Sequence, residues 1–122
     1  MPGVDRGDAR RWVERYVEAW ASNDADDIRA LFTEDATYLT APYREPWRGW
    51  DAIVEGWLDR KDEPGTCSFR SEVLGTDEDL AFVRGWTVYD DEEYPTSNLW
   101  VIRLAGDGRA SEFVEWWMEE RT

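Results

Sequence analysis

The chain has 122 residues and a formal net charge of −14 at pH 7, with 14 Lys and Arg residues against 28 Asp and Glu residues. That length predicts a single domain, residues 1–122, and that charge disfavours nucleic acid and anionic membranes as partners. The chain has no histidine, which excludes Ser-His-Asp and Cys-His nucleophilic sites and histidine-ligated zinc. Its single cysteine, Cys67, excludes an intrachain disulfide.

Targeting and ligand-binding motifs are scarce. No apolar run approaches the roughly 20 residues of a membrane helix, and the first residues lack the apolar stretch of a secretory signal, so we expect a cytoplasmic protein. Residues 106–108 read as a hairpin turn rather than a phosphate loop, and no calcium-loop pattern occurs. The four carboxylates at 90–93 indicate a solvated turn. We therefore expect neither a metal nor a cofactor.

The first half of the chain has helical patterns. Asp8 is the expected N-cap of a first helix that ends near Ser22, and Asp24 is the expected N-cap of a second. The apolar stripe of the first helix comprises Trp12, Val13, Tyr16, Val17 and Trp20. Residues 36–40 predict a short strand, and residues 50–61 a third helix with Trp57 facing inward. The connection 41–48 contains two prolines, and we interpret its segment 43–48 as the rim or lid of a site, with a plain surface loop as the alternative.

The second half has the alternation of β-strands. Strands are predicted over 67–74, 80–89, 97–104 and 109–118, with Gly106 and Gly108 in a hairpin turn. Helices followed by a meander of strands indicate an α+β fold, with the helices on one face of a curved sheet. Nine Trp, five Tyr and four Phe indicate a ring-lined cavity, an aromatic interface, or a core merely filled by indoles.

The order of these pieces resembles the nuclear transport factor 2-like superfamily, SnoaL-like domains in particular. The residues that carry the resemblance are 15–20, 24–32, 34–37, 47–49, 52–53, 106–109 and 112–117. The resemblance implies a cone-shaped, curved antiparallel sheet wrapped around three N-terminal helices, with a pocket at the wide end. This fold hosts isomerases, dehydratases, cyclases, hydrolases and proteins that are not enzymes.

The steroid Δ-isomerase branch offers a residue-by-residue comparison. Tyr16 falls where that branch has a phenol that donates to an oxyanion, and Asn98 falls where it has a second donor, a protonated aspartate. Thr40 falls at the position of the aspartate base. A hydroxyl cannot act as a general base at neutral pH, so the resemblance implies that the donors persist while the usual base is not retained.

The resemblance also implies which side chains face the pocket. It turns Phe82, Arg84, Trp86 and Val88 inward, and strand alternation gives the matching sets on the neighbouring strands. The expected ligand-binding residues are Tyr38, Thr40, Trp57, Trp86, Trp100, Phe113 and Trp117. Such a wall of rings suits a small hydrophobic or aromatic ligand held by a few hydrogen bonds.

Two charged residues stand among these apolar side chains, Arg84 and Glu115. Burying a lone charge costs several kcal/mol, roughly, so we predict that they face each other, directly or through Asn98. Glu115 would be a general acid or base and Arg84 an anion binder, with Tyr16 and Asn98 as the other catalytic candidates. The alternative is a buried ion pair that only closes the sheet.

The outward sets of the last two strands are apolar, which predicts an isologous homodimer. They comprise Leu99, Val101, Val114, Trp116 and Met118. Three functions remain open: an enzyme using isomerase-, cyclase-, dehydratase- or hydrolase-type acid–base chemistry on a small hydrophobic metabolite, a binding domain without catalysis, and a dimeric scaffold whose cavity is filled by its own tryptophans.

Overall fold

The computed structural model describes residues 3–61, 66–90 and 94–120, which form three helices and six strands. The helices are α1 (Arg6–Ser22), α2 (Ala25–Leu31) and α3 (Gly49–Asp59). The strands are β1 (Phe32–Leu39), β2 (Trp47–Arg48), β3 (Cys67–Asp77), β4 (Leu80–Tyr89), β5 (Thr96–Leu104) and β6 (Ala110–Glu119). None of the described helices combines the length and apolar character that a membrane span requires.

Capping side chains fix the ends of the first two helices. Asp5, rather than the predicted Asp8, is the N-cap of α1, because Asp8 is the N3 residue of a capping box in which each carboxylate accepts the other's backbone N–H. The helix ends at Asn23, which adopts a left-handed conformation with φ 51°. Asp24 caps α2 as predicted, accepting from the backbone N–H groups of Asp26 and Asp27.

The sheet has the strand order β2-β1-β6-β5-β4-β3, and the α+β class is confirmed. Strands β3 to β6 form the predicted antiparallel meander. The last strand also pairs with β1, and this pairing is parallel, so the sheet is mixed rather than wholly antiparallel. Strand β1 is longer than predicted, and the two-residue β2 lies within the predicted loop and pairs with β1. The predicted connection 90–93 lies outside the described residues except for Asp90.

An aromatic cluster forms the core between the helices and the inner face of the sheet. The Trp12 ring is almost fully buried and its Nε1 donates to the Leu31 carbonyl oxygen at 2.9 Å. Around it lie Tyr16, Trp100 and Phe113, with ring centroids 5.4, 6.3 and 5.7 Å away. This packing holds the inward faces of β5 and β6 at a fixed distance from α1.

The inner face of β4 is the opposite of the predicted one. Its buried residues are the small set Ala81, Val83, Gly85 and Thr87. The reason is visible at Gly85, where an added Cβ would come within 2.6 Å of the Phe69 ring. That ring crosses over the glycine and stacks on Trp100 at 5.0 Å. A neighbouring strand therefore supplies the bulk on this face, and β4 can fit only small side chains there.

Candidate functional site

A cavity of about 520 Å³ opens at one end of the sheet, between its inner face and helices α1 and α3. That volume lies within the usual range for small-molecule sites, and it shows that the tryptophans do not fill the cone. The lining residues are Tyr16, Trp20, Tyr38, Thr40, Arg44, Trp47, Trp57, Arg60, Lys61, Thr87, Tyr89, Thr96, Asn98, Trp100, Glu115, Trp117 and Glu119.

The carboxylate of Glu115 is the central polar group of this cavity. Its Oε2 accepts two hydrogen bonds, from Trp100 Nε1 at 2.7 Å and from Asn98 Nδ2 at 3.2 Å. Trp100 and Glu115 are direct partners across β5 and β6, so the sheet register itself sets this contact. Within the described residues, Oε1 accepts no hydrogen bond, and no buried side-chain polar atom lacks a partner. Oε1 is therefore accessible from the cavity.

The environment of Glu115 favours its neutral form. Burial raises the pKa of Glu115 from 4.5 to about 7, although the hydrogen bonds from Asn98 and Trp100 oppose the shift by stabilising the carboxylate. A carboxyl group with a pKa near neutrality is present in both protonation states at physiological pH. It can accept or return a proton without a large energetic cost.

Two phenols form a hydrogen-bonded pair in the same cavity. The hydroxyl oxygens of Tyr16 and Tyr38 lie 2.7 Å apart, and either can be the donor. Whichever hydroxyl accepts keeps its own O–H for another partner. Burial raises the pKa of both phenols well above the ordinary value, and the nearby charge of Glu115 raises them further. Both therefore remain protonated donors at neutral pH.

A third residue orients the amide beside Glu115. Thr87 Oγ1 donates to Asn98 Oδ1 at 2.8 Å, and both side chains are buried. With Oδ1 accepting from Thr87, the other end of the amide, Nδ2, is directed at the carboxylate. The chain of contacts from Thr87 through Asn98 to Glu115 holds the acidic group in one position.

Most of the predicted site residues meet at the cavity. Tyr16, Asn98 and Glu115 line it, as do the predicted ligand-binding residues Tyr38, Thr40, Trp57, Trp100 and Trp117. Phe113 is fully buried and stacks behind Tyr38 at 4.6 Å, so it supports the wall without lining it. Of the predicted rim or lid 43–48, Arg44 and Trp47 line the cavity.

The predicted contact between Arg84 and Glu115 is wrong, and so is the inward placement of Trp86. Both Arg84 and Trp86 lie on the outer face of β4, where the Arg84 guanidinium carbon is 4.8 Å from the centroid of the Trp86 ring. Arg70 of β3 lies over the same ring at 4.1 Å. Glu115 accepts from uncharged donors instead, and burial outweighs their effect, so the pKa of its carboxyl is raised.

Several cavity residues were missed in the sequence. Thr87 was assigned to the outer face together with the rest of its alternating set. Arg60 and Lys61 also line the cavity; they fall in the predicted third helix, 50–61, whereas α3 ends at Asp59. For metals, a search of the described ranges finds no group of three or more Cys, Asp or Glu side chains placed to hold an ion.

Comparison with known proteins identifies the family and supports the fold. The model of the SnoaL-like domain matches residues 13–113, and the chain therefore belongs to the SnoaL-like family. A search of curated proteins finds no significant match. Among solved structures, a Burkholderia xenovorans LB400 NTF-2 like protein of unknown function has a TM-score of 0.74 at 13% identity, covering 95% of this chain and 87% of that one.

Two further structures carry functional descriptions. A protein from Kribbella flavida DSM 17836, provisionally described as a ketosteroid isomerase, has a TM-score of 0.71 at 18% identity, covering 96% of this chain and 82% of its own. An LEH-like epoxide hydrolase from M. tuberculosis has a TM-score of 0.64 at 18% identity, covering 93% and 84%. At these identities the likeness establishes the shared cone-type fold.

Proposed function

We propose that the chain is a small enzyme that moves a proton on a small, largely apolar molecule bound in the cavity, with Glu115 as the acid–base group. One observation carries the proposal. The Glu115 carboxylate is held through Oε2 by two neutral donors while Oε1 remains accessible from the cavity. A raised pKa, to about 7, suits such a group for accepting a proton.

The paired phenols supply the complementary function. Removing a proton from carbon next to a carbonyl places negative charge on the carbonyl oxygen, and a fixed O–H donor stabilises that charge. Tyr16 and Tyr38 offer one unshared O–H beside the aromatic rings of the cavity wall. The base then comes from β6, since the position of the usual base, Thr40, carries a hydroxyl.

The similar structures support a choice of first substrate class. One of them is provisionally described as a ketosteroid isomerase. A ring-lined cavity of about 520 Å³ has room for a molecule of that kind. We therefore place cyclic ketones first in the test.

The experiment measures deuterium uptake at the α-carbon of 2-tetralone in D₂O by NMR, together with isomerisation of a β,γ-unsaturated ketosteroid by ultraviolet absorbance. Wild-type protein is expected to accelerate one or both. Glu115→Gln is expected to lose the acceleration about 100-fold or more. Glu112→Gln on the same strand is the control, because that side chain lies outside the cavity, opposite Arg103. Equal rates in both variants would contradict the proposal.

The second candidate function is ligand binding without catalysis. The aromatic lining of the cavity favours it. The ring centroid of Tyr16, for example, lies 6.1, 4.9 and 4.5 Å from the ring centroids of Trp20, Trp57 and Trp100. Tight binding of an apolar ligand by both wild type and Glu115→Gln, without proton exchange in either, would support it. For either function we propose a cytoplasmic location, which fractionation of the source cells would test.

The outer face of the sheet supports a homodimer. Its exposed apolar residues include Leu99, Trp116 and Met118, with 36%, 47% and 71% of their surfaces exposed. A contiguous apolar patch of this kind is costly to leave in water. Sedimentation velocity at micromolar concentration is expected to give twice the chain mass, and Trp116→Glu is expected to give the monomer. A monomeric wild type would contradict the dimer.

A further inference from the structure

The mouth of the cavity carries a concentration of positive charge in a strongly acidic protein. Arg44, Arg60 and Lys61, which we call the rim cations, all line the cavity, and Lys61 is the only lysine in the chain. They come from two separate segments, the connection between β1 and β2 and the residues that follow α3. Among the residues that the structure describes, Glu115 and Glu119 are the carboxylates that line the same cavity.

The described contacts do not explain the rim cations. The four ion pairs found among the described residues involve Arg11, Arg29, Arg103 and Arg109, and none includes a rim cation. All three side chains are exposed at the mouth. Three like charges around one opening repel one another, and an anion placed among them would relieve that repulsion.

The field of the rim reaches the phenol pair. Burial and the charge of Glu115 raise the pKa of Tyr38, and the charge of Arg60 opposes them. Arg60 therefore acts on the hydroxyl pair deeper in the cavity. Beyond about 8 to 10 Å the repulsion from the rest of the protein is screened at physiological salt, so an anion at the mouth interacts mainly with the cavity's own charges, which are the three rim cations and the carboxylates of Glu115 and Glu119.

We propose that the ligand is a small hydrophobic acid, with its apolar ring body against the tryptophans and a single anionic group, such as a carboxylate, held by Arg44, Arg60 and Lys61. This inference rests on the proposed function in one respect, namely that a small molecule occupies the cavity. It does not depend on proton transfer by Glu115.

Two fluorescent dyes with the same rings test this ligand class. The anionic probe is 8-anilinonaphthalene-1-sulfonate, and the neutral probe is N-phenyl-1-naphthylamine, which lacks the sulfonate. The rim variant is Arg60→Gln with Lys61→Gln. The control is Arg10→Gln with Arg15→Gln, which makes the same change in net charge on exposed α1 residues outside the cavity.

The rim variant is expected to weaken binding of the anionic dye about tenfold, while the neutral dye changes less than about twofold. The control should leave both affinities within about twofold. Salt should weaken the anionic dye alone. Equal losses for both dyes in the rim variant, or equal losses of the anionic dye in both variants, would overturn the inference and leave the proposed function intact. A dye bound on the outer face of the sheet, away from both sets of substitutions, would respond equally to the rim variant and the control.

Failure of both dyes to bind wild-type protein would overturn the inference together with the ligand-binding part of the proposed function. Failure of proton exchange in the Glu115 experiment, with the dye results as expected, would remove the catalytic proposal alone. The single variant Arg44→Gln tests the rim cation that comes from the connection between β1 and β2. It should weaken the anionic dye more than the neutral one.

Discussion

Replacing Glu115 by glutamine should stabilise the protein, and more so at higher pH. The substitution keeps an oxygen that can accept from Asn98 and Trp100, and it removes a charge that is unfavourable in this cavity. Burial raises the pKa of Glu115 from 4.5 to about 7. Each pKa unit corresponds to about 1.4 kcal/mol, so the full destabilisation by the ionised group is about 3 kcal/mol.

The direction of the pH dependence follows from proton binding. Because the folded state holds this proton more tightly than the unfolded chain, the contribution of Glu115 to stability is fully present below pH 4.5 and is lost as pH rises to about 7. Glutamine has no such loss. The difference in free energy of unfolding between Glu115→Gln and wild type should therefore grow by about 2 to 3 kcal/mol from pH 5 to pH 8.

Urea unfolding followed by tryptophan fluorescence measures this difference at both pH values. Protein concentration must be the same throughout, because a dimer is stabilised by mass action. Glu112→Gln is the matched control and should show no comparable growth, since no charge is removed from the cavity. A difference for Glu115→Gln that stays constant from pH 5 to pH 8, or that shrinks, would refute the reasoning.

Three further substitutions test the neighbouring contacts. Tyr38→Phe removes one hydroxyl of the buried pair and should cost about 1 to 2 kcal/mol in urea unfolding. It should also slow α-proton exchange about tenfold or more, and a wild-type rate would count against the phenol pair. Trp100→Phe removes a donor to the carboxylate, so the pKa of Glu115 should rise above its value of about 7. The midpoint of the pH–rate profile should then move to higher pH, and a midpoint that is unchanged or lower would contradict this. Gly85→Ala places a methyl group within 2.6 Å of the aromatic ring that crosses it and should cost about 1 to 3 kcal/mol in the same unfolding assay, whereas an unchanged stability would mean that the ring can move away.

Local patterns in the sequence were sufficient for the helices and for most strands. The spacing of Trp12 and Tyr16 identified the buried stripe of α1, and both are buried. Asp24 was recognisable as an N-cap because a short side-chain oxygen can reach two following N–H groups. These features depend on residues a few positions apart, so the sequence contains the relevant geometry.

The facing of β4 could not be predicted from alternation alone. A period of two separates the residues into two sets without indicating which set is buried. The larger set, with Phe82 and Trp86, would ordinarily face the core. Here the outer face is also apolar, and the Phe69 ring occupies the inner space above Gly85. The glycine within a long strand was the available signal, since it often marks a close approach by a neighbour.

The partners of Glu115 also depended on long-range register. Pairing Glu115 with Arg84 followed from the expectation that a buried charge has a charged partner. The register instead sets Trp100 directly opposite Glu115, and an indole N–H is a sufficient donor. The parallel pairing of β6 with β1 was equally hidden, because it joins strands from opposite ends of the chain.

The most direct test of this account is a ¹³C NMR titration of the Glu115 side-chain carboxyl group, assigned by its disappearance in Glu115→Gln. The midpoint is expected near pH 7, well above the 4.5 of an ordinary glutamate. It should also move when an apolar ligand fills the cavity. A midpoint near 4.5 that does not change when a ligand is added would mean that this carboxylate is neither desolvated nor exposed to the cavity.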